Sequence, residues 1–176
     1  MDIHQQLLKK HTKENTQLIT EYIGSDPERY ATLMRIFKSE GWVAVQRGAW
    51  VVSEVGMKYP ALLIPHLDDL ISAIESAPHP AIARNGLKVI AETKIPLTED
   101  QEGRIVQLSF ELLADPKVPV AIQVFAMQCI ANLLTVYPDL AIELKTLLEE
   151  GMEHGSPGYR SRGKKILKQI AKMDLS

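Results

Sequence analysis

"GLKVIAE" at residues 86–92 decides how this chain is read, because its pattern returns as "GAWVVSE" at 48–54, "AMQCIAN" at 126–132 and "ILKQIAK" at 166–172. Offsets of 38, 40 and 40 residues superpose Ala49, Leu87, Met127 and Leu167, and likewise Val52, Ile90, Ile130 and Ile170. They also superpose Ser53, Ala91, Ala131 and Ala171, a position that stays small in every copy. Apolar residues three and four apart are the period of a helix with one buried face. A second echo, "YPALL" at 59–63 and "YPDLA" at 137–141, keeps the same register over 78 residues.

Outward from these copies, proline and glycine fall where helices should begin and end, and strand alternation is nearly absent. Asp26-Pro27 supplies an N-cap and a first-turn proline for a helix that Gly41 closes. Further helices are predicted over 43–58, over 60–76 and, after a Pro78-His79 turn, over 80–94. Thr98 and Gln101 form a capping box for a helix reaching Ala114. Asp115-Pro116-Lys117 breaks the chain, and helices over 118–136, 139–153 and 157–173 follow. One or two polar helices precede all of these within residues 2–24.

Two helices per period of about 40 residues describe a hairpin that cannot bury its apolar face alone and stacks on its neighbours. The pattern resembles the HEAT and HEAT-like (armadillo-type) repeat family, most closely in "LLADPKVPVAIQVFAMQCIANL" at 112–133, where Asp115 takes the family's turn aspartate. Arg84 matches the family's inner-helix arginine, while Gln46, Val124 and Lys164 stand at that register in the other copies. The resemblance implies an all-α fold, an α-α superhelix wound as a right-handed solenoid. About four hairpins (26–59, 60–95, 96–137 and 138–173) would follow an N-terminal helical cap at 1–25, in a single domain overall.

Composition narrows the function. The 176 residues carry 20 Lys plus Arg against 22 Asp plus Glu, so no global field favours nucleic acid or an anionic membrane. The beginning of the sequence lacks a basic segment followed by an apolar one, and no apolar run approaches a membrane span, so a cytoplasmic protein without membrane association is expected. Cys129 is the only cysteine, and its register beside Val51 and Val89 marks it as a small core residue. The histidines His4, His11, His66, His79 and His154 include no i, i+4 pair, and no Gly-rich phosphate loop is present, so neither a metal nor a cofactor is expected. His66 and Asp69 share a helical face as a surface pair.

In a HEAT-like array the inner helices line the concave surface. With 49, 52 and 53 in the core, positions 46, 47, 50 and 54 face outward, and so do their equivalents. The expected binding surface contains Arg47, Trp50, Glu54, Arg84, Lys88, Glu92, Gln128 and Asn132, with Trp50 as the aromatic anchor. Near the C-terminus, Arg160, Arg162, Lys164, Lys165, Lys168 and Lys172 form a basic patch, readable as an anion-binding surface or as the polar face a terminal repeat requires. The resemblance implies a non-catalytic module that binds another protein through its concave face. The alternative is a nucleic-acid-binding or HEAT-like DNA-glycosylase-type protein, for which Arg47, Trp50, Glu54 and Lys88 are partial analogues of the tryptophans, acid and cations such enzymes use.

Overall fold

A computed structural model describes residues 1–38, 41–76 and 79–173 of the chain. Among the described residues there is no strand, and ten α-helices follow one another. These are α1 (Ile3–Lys9), α2 (Lys13–Ile23), α3 (Pro27–Phe37), α4 (Trp42–Lys58), α5 (Leu67–Glu75), α6 (Pro80–Glu92), α7 (Glu99–Ala114), α8 (Val120–Leu133), α9 (Leu140–His154) and α10 (Pro157–Ile170).

Most helix starts have a side chain accepting the first orphan N–H groups. Asp26 Oδ1 accepts from the amides of Glu28 and Arg29 at 2.9 and 3.1 Å, Thr98 and Gln101 close the expected capping box on α7, and Ser156 Oγ caps α10. His79 does the same for α6, its Nδ1 accepting from Ala81 N–H at 3.0 Å. The turn expected at Pro78, and the stretch just before Gly41, lie outside the described residues.

The helix expected over 60–76 is not continuous. Two 3₁₀ turns, Pro60–Leu62 and Ile64–His66, precede α5, each closed by three-residue hydrogen bonds: Leu63 N–H to Pro60 O at 3.0 Å and His66 N–H to Leu63 O at 2.9 Å. Pro65 is the cause. It has no N–H to give to the carbonyl of residue 61, and its ring would press on that carbonyl in an α-helix. Pro119 likewise delays α8, which starts at Val120 rather than at residue 118.

The chain divides into two compact units, Met1–Pro96 and Leu97–Ser176. In the first, α1–α2, α3–α4 and α5–α6 are consecutive hairpins, with α2 against α4 and α4 against α6 as a row of inner helices. Small side chains make that row close-packed. A Cβ on Gly56 of α4 would stand 2.7 Å from Val89 Cγ2 of α6, so only glycine admits this approach. Ala49, Val52, Leu87 and Ile90 are buried, as is Ser53, whose hydroxyl meets Asn85 Oδ1 of α6 at 3.2 Å. Tyr30 of α3 is buried and its hydroxyl donates to Val52 O at 3.3 Å; burial raises its pKa well above the ordinary phenol value.

In the second unit α7 pairs with α8 and α9 with α10, and α8 packs against α10. The core holds Leu113, Met127, Ile130, Ala131, Leu134, Leu144, Leu148, Tyr159, Ile166 and Ile170. Cys129 is buried here as well. Gly151 of α9 makes room for Tyr159 of α10: any Cβ there would overlap the phenol ring. Each fully buried aliphatic side chain contributes about 1.5–3 kcal/mol. The nine core positions of the first three copies, from Ala49 to Ala131, are all buried, so the sequence repeat is a repeat of burial.

Candidate functional site

Three inner helices of the first unit present parallel polar stripes at i, i+4, i+8 spacing: Lys13, Gln17 and Glu21 on α2; Trp50, Glu54 and Lys58 on α4; Arg84, Lys88 and Glu92 on α6. The stripes of α2 and α4 border a cleft of about 300 Å³ in which Thr16 and Thr20 are the buried residues. Trp50 stands at one end, half-buried, its ring 5.8 Å from that of His11 and tilted by 41°. Lys58 stands at the other, its Nζ 5.5 Å from the centre of the Tyr59 ring.

Charges in this region are unevenly engaged. Glu54 Oε1 accepts from Lys88 Nζ at 3.1 Å across the α4–α6 seam, both side chains being partly exposed, and such a pair is worth only about 0.2–1 kcal/mol. Glu21 Oε1 accepts from Gln17 Nε2 at 3.0 Å. Lys13 and Lys58 make no ion pair among the described residues, and exposed Arg84 makes neither an ion pair nor a hydrogen bond.

Residues 3–170 match the family model of the HEAT repeat domain. The chain belongs to the HEAT repeat family. No curated protein and no solved structure matches it. The match begins at the start of α1 and so takes in the hairpin α1–α2, whose inner helix supplies one wall of the cleft.

The HEAT architecture gives the sequence-predicted residues unequal roles. Arg47 is half-buried and donates from one guanidinium nitrogen to Leu7 O at 2.8 Å and Leu8 O at 3.0 Å, satisfying carbonyls at the C-terminal end of α1. It joins the first two hairpins. Trp50, Glu54, Arg84, Lys88 and Glu92 belong to the inner face of the first unit, Glu92 being exposed and not isolated. Gln128 and Asn132 belong to the second unit, where Gln128 Nε2 donates to Asn132 Oδ1 at 2.8 Å and Gln128 Oε1 accepts from Arg162 at 2.7 Å.

The basic segment divides in the same manner. Arg160 donates to Met152 O and Glu153 O, both at 3.1 Å, and so caps α9, while Arg162 ties α10 to α8. Lys164, Lys165, Lys168 and Lys172 are exposed and make no ion pair among the described residues. Among the described residues no group of three or more His, Cys, Asp or Glu could hold a metal ion, and no helix is long and apolar enough to cross a membrane.

Sequence reasoning passed over the α2 wall. Its signal was present: with Thr16, Ile19, Thr20 and Ile23 turned inward, Lys13, Gln17 and Glu21 fall on one outward stripe. His66, expected as a surface partner of Asp69, instead places its ring 5.7 Å from that of Tyr30, and Asp69 pairs with Lys38 at 2.7 Å. Burial lowers the His66 pKa, opposed by Asp69 and aided by Lys38.

Proposed function

We propose that this HEAT repeat domain is a non-catalytic protein-interaction module and that its binding surface is the inner-helix face of the first unit, running from α2 across α4 to α6. The observation that carries the reading is Trp50: a half-buried tryptophan at one end of a cleft whose two lysines, Lys13 and Lys58, make no ion pair among the described residues. Tryptophan and arginine dominate the energetics of protein interfaces, because each brings a large rigid surface together with a polar handle. Arg84 and Lys88 on α6 extend the face by one helix, about 8–10 Å, within reach of one extended partner.

A photo-crosslinking residue placed at position 84 tests this surface, with position 107 on α7 as the control. Crosslinking of a partner protein from 84 and not from 107 is the expected result. Equal yields from both, or yield from 107 alone, would contradict the reading. Nucleic acid is the weaker candidate, since Glu21, Glu54 and Glu92 interrupt the cations of this face. Duplex DNA is accordingly expected to bind no better than ordinary non-specific affinity, about 10⁻⁴–10⁻⁶ M at physiological salt, in a mobility-shift titration.

A further inference from the structure

We infer that the cleft between α2 and α4 takes a short extended segment of a partner protein, with an aromatic or large aliphatic side chain against Trp50 and an aspartate or glutamate four residues away beside Lys58. This inference rests on the interaction reading above and names the chemistry of the partner.

The length of the cleft matches an extended chain. Trp50 and Lys58 lie eight residues apart on α4, about 12 Å at 1.5 Å per residue. In an extended chain, side chains on one face recur every second residue at about 3.3 Å per residue, so positions i and i+4 stand about 13 Å apart. One extended segment therefore spans the cleft with one side chain at each end. A volume of about 300 Å³ is at the small end of ligand-binding pockets and suits a pair of side chains better than a folded surface.

The charges of the cleft are unevenly engaged. Both carboxylates of the cleft already accept a hydrogen bond, Glu54 from Lys88 and Glu21 from Gln17. Both of its lysines, Lys13 and Lys58, have no ion-pair partner among the described residues. Lys13, Lys58 and the adjoining Lys88 outnumber Glu21 and Glu54 by one charge, so an incoming carboxylate is favoured over an incoming cation, for which only Glu21, bonded to neutral Gln17, is open. The buried Thr20 hydroxyl already donates to Thr16 O at 2.8 Å, so it leaves no unmet donor to demand a polar group from the ligand. At the other end, beside His11, the half-buried indole of Trp50 supplies the apolar surface for the anchor.

The test uses the full chain with Trp42→Phe, which leaves Trp50 as the only tryptophan and its emission as the reporter. Four probes are titrated: a Gly/Ser-rich peptide with Phe and Asp four residues apart, the same peptide with Lys for Asp, the same with Ala for Phe, and a single-stranded oligonucleotide. The Phe/Asp peptide should shift Trp50 emission saturably. Both altered peptides should bind more weakly, and Lys58→Glu should weaken the Phe/Asp peptide by about fivefold, an effect that fades with added salt, while Lys13→Glu, at the Trp50 end, should weaken it less.

Preference for the Lys peptide, or response to the oligonucleotide alone, overturns the inference. A Trp50 signal that no peptide moves, while position 84 still crosslinks a partner protein, overturns it and leaves the interaction surface standing. No response from Trp50 and no crosslink from 84 removes both.

Discussion

Arg47 in the first unit and Arg160 in the second do the same work. Each donates two hydrogen bonds to carbonyls near the C-terminal end of a neighbouring helix, Arg47 to Leu7 and Leu8 near the end of α1 and Arg160 to Met152 and Glu153 near the end of α9. On the same helical systems, Arg84 and Lys165 are exposed and pair with nothing among the described residues. Four cations that look alike in sequence thus form two classes, and the difference is whether an unsatisfied helix end lies within reach. A cation near a helix C-terminus has both orphan carbonyls and the helix dipole to meet it. One on an open ridge has only solvent to meet it.

The largest effect should come from the cores of the two units, each taken by itself. Ile130 is 0% exposed, and Ile130→Asp buries a charge with no counterion, costing several kcal/mol, comparable with the whole stability of a domain. Loss of cooperative thermal unfolding is the expected outcome, and Val52→Asp should do the same in the first unit. An unchanged melting temperature for either would place that residue outside the core.

Arg47→Ala should destabilise by about 1–3 kcal/mol, because the partly buried Leu7 carbonyl and the exposed Leu8 carbonyl lose a charged donor, whereas Arg84→Ala should stay within about 0.5 kcal/mol. Arg160→Ala, more exposed than Arg47, should fall between them. Denaturant midpoints at constant m-value measure all three, and equal costs for Arg47 and Arg84 would dissolve the distinction.

Glu54 and Lys88 bridge the two classes, paired with each other yet partly exposed. A double-mutant cycle through Glu54→Gln and Lys88→Met should give a coupling of about 0.2–1 kcal/mol, shrinking with salt. A coupling of several kcal/mol would mean that the pair belongs to the fold rather than to the surface.

The smallest expected effect is that of His66. Burial lowers its pKa below the ordinary 6.5, so the folded state prefers the neutral ring. The unfolded chain then binds more protons as pH falls below 6.5, and stability that is full above that value declines toward the lowered pKa. Because the ring is only partly buried and Asp69 opposes the shift, the decline should be small. His66→Asn should flatten that part of the stability-against-pH profile, and an unaltered profile would assign the slope elsewhere.

The repeat was legible because burial imposes a period that sequence displays directly: Val52, Ile90 and Ile130 recur for the same physical reason and are buried alike. Helix starts were legible where a single side chain makes the cap, as at Asp26 and Thr98. The break in 60–76 could have been read from Pro65, whose missing donor outweighs the apolar spacing around it. The roles of Arg47 and Arg160 could not, because they depend on the ends of α1 and α9 arriving beside them, which is tertiary information. The α2 wall escaped because α1–α2 carries no copy of the 48–54 pattern, although its own stripe of Lys13, Gln17 and Glu21 was visible in the spacing.

Trp50→Ala tests the central claim most directly, read both as stability and as partner crosslinking from position 84. If Trp50 is the anchor of an interaction face, crosslinking is lost while the unfolding midpoint falls by only a few degrees, about 1 kcal/mol. A cost of about 3–5 kcal/mol, the cost of removing a core aromatic, with crosslinking retained, would make Trp50 part of the core and contradict the account.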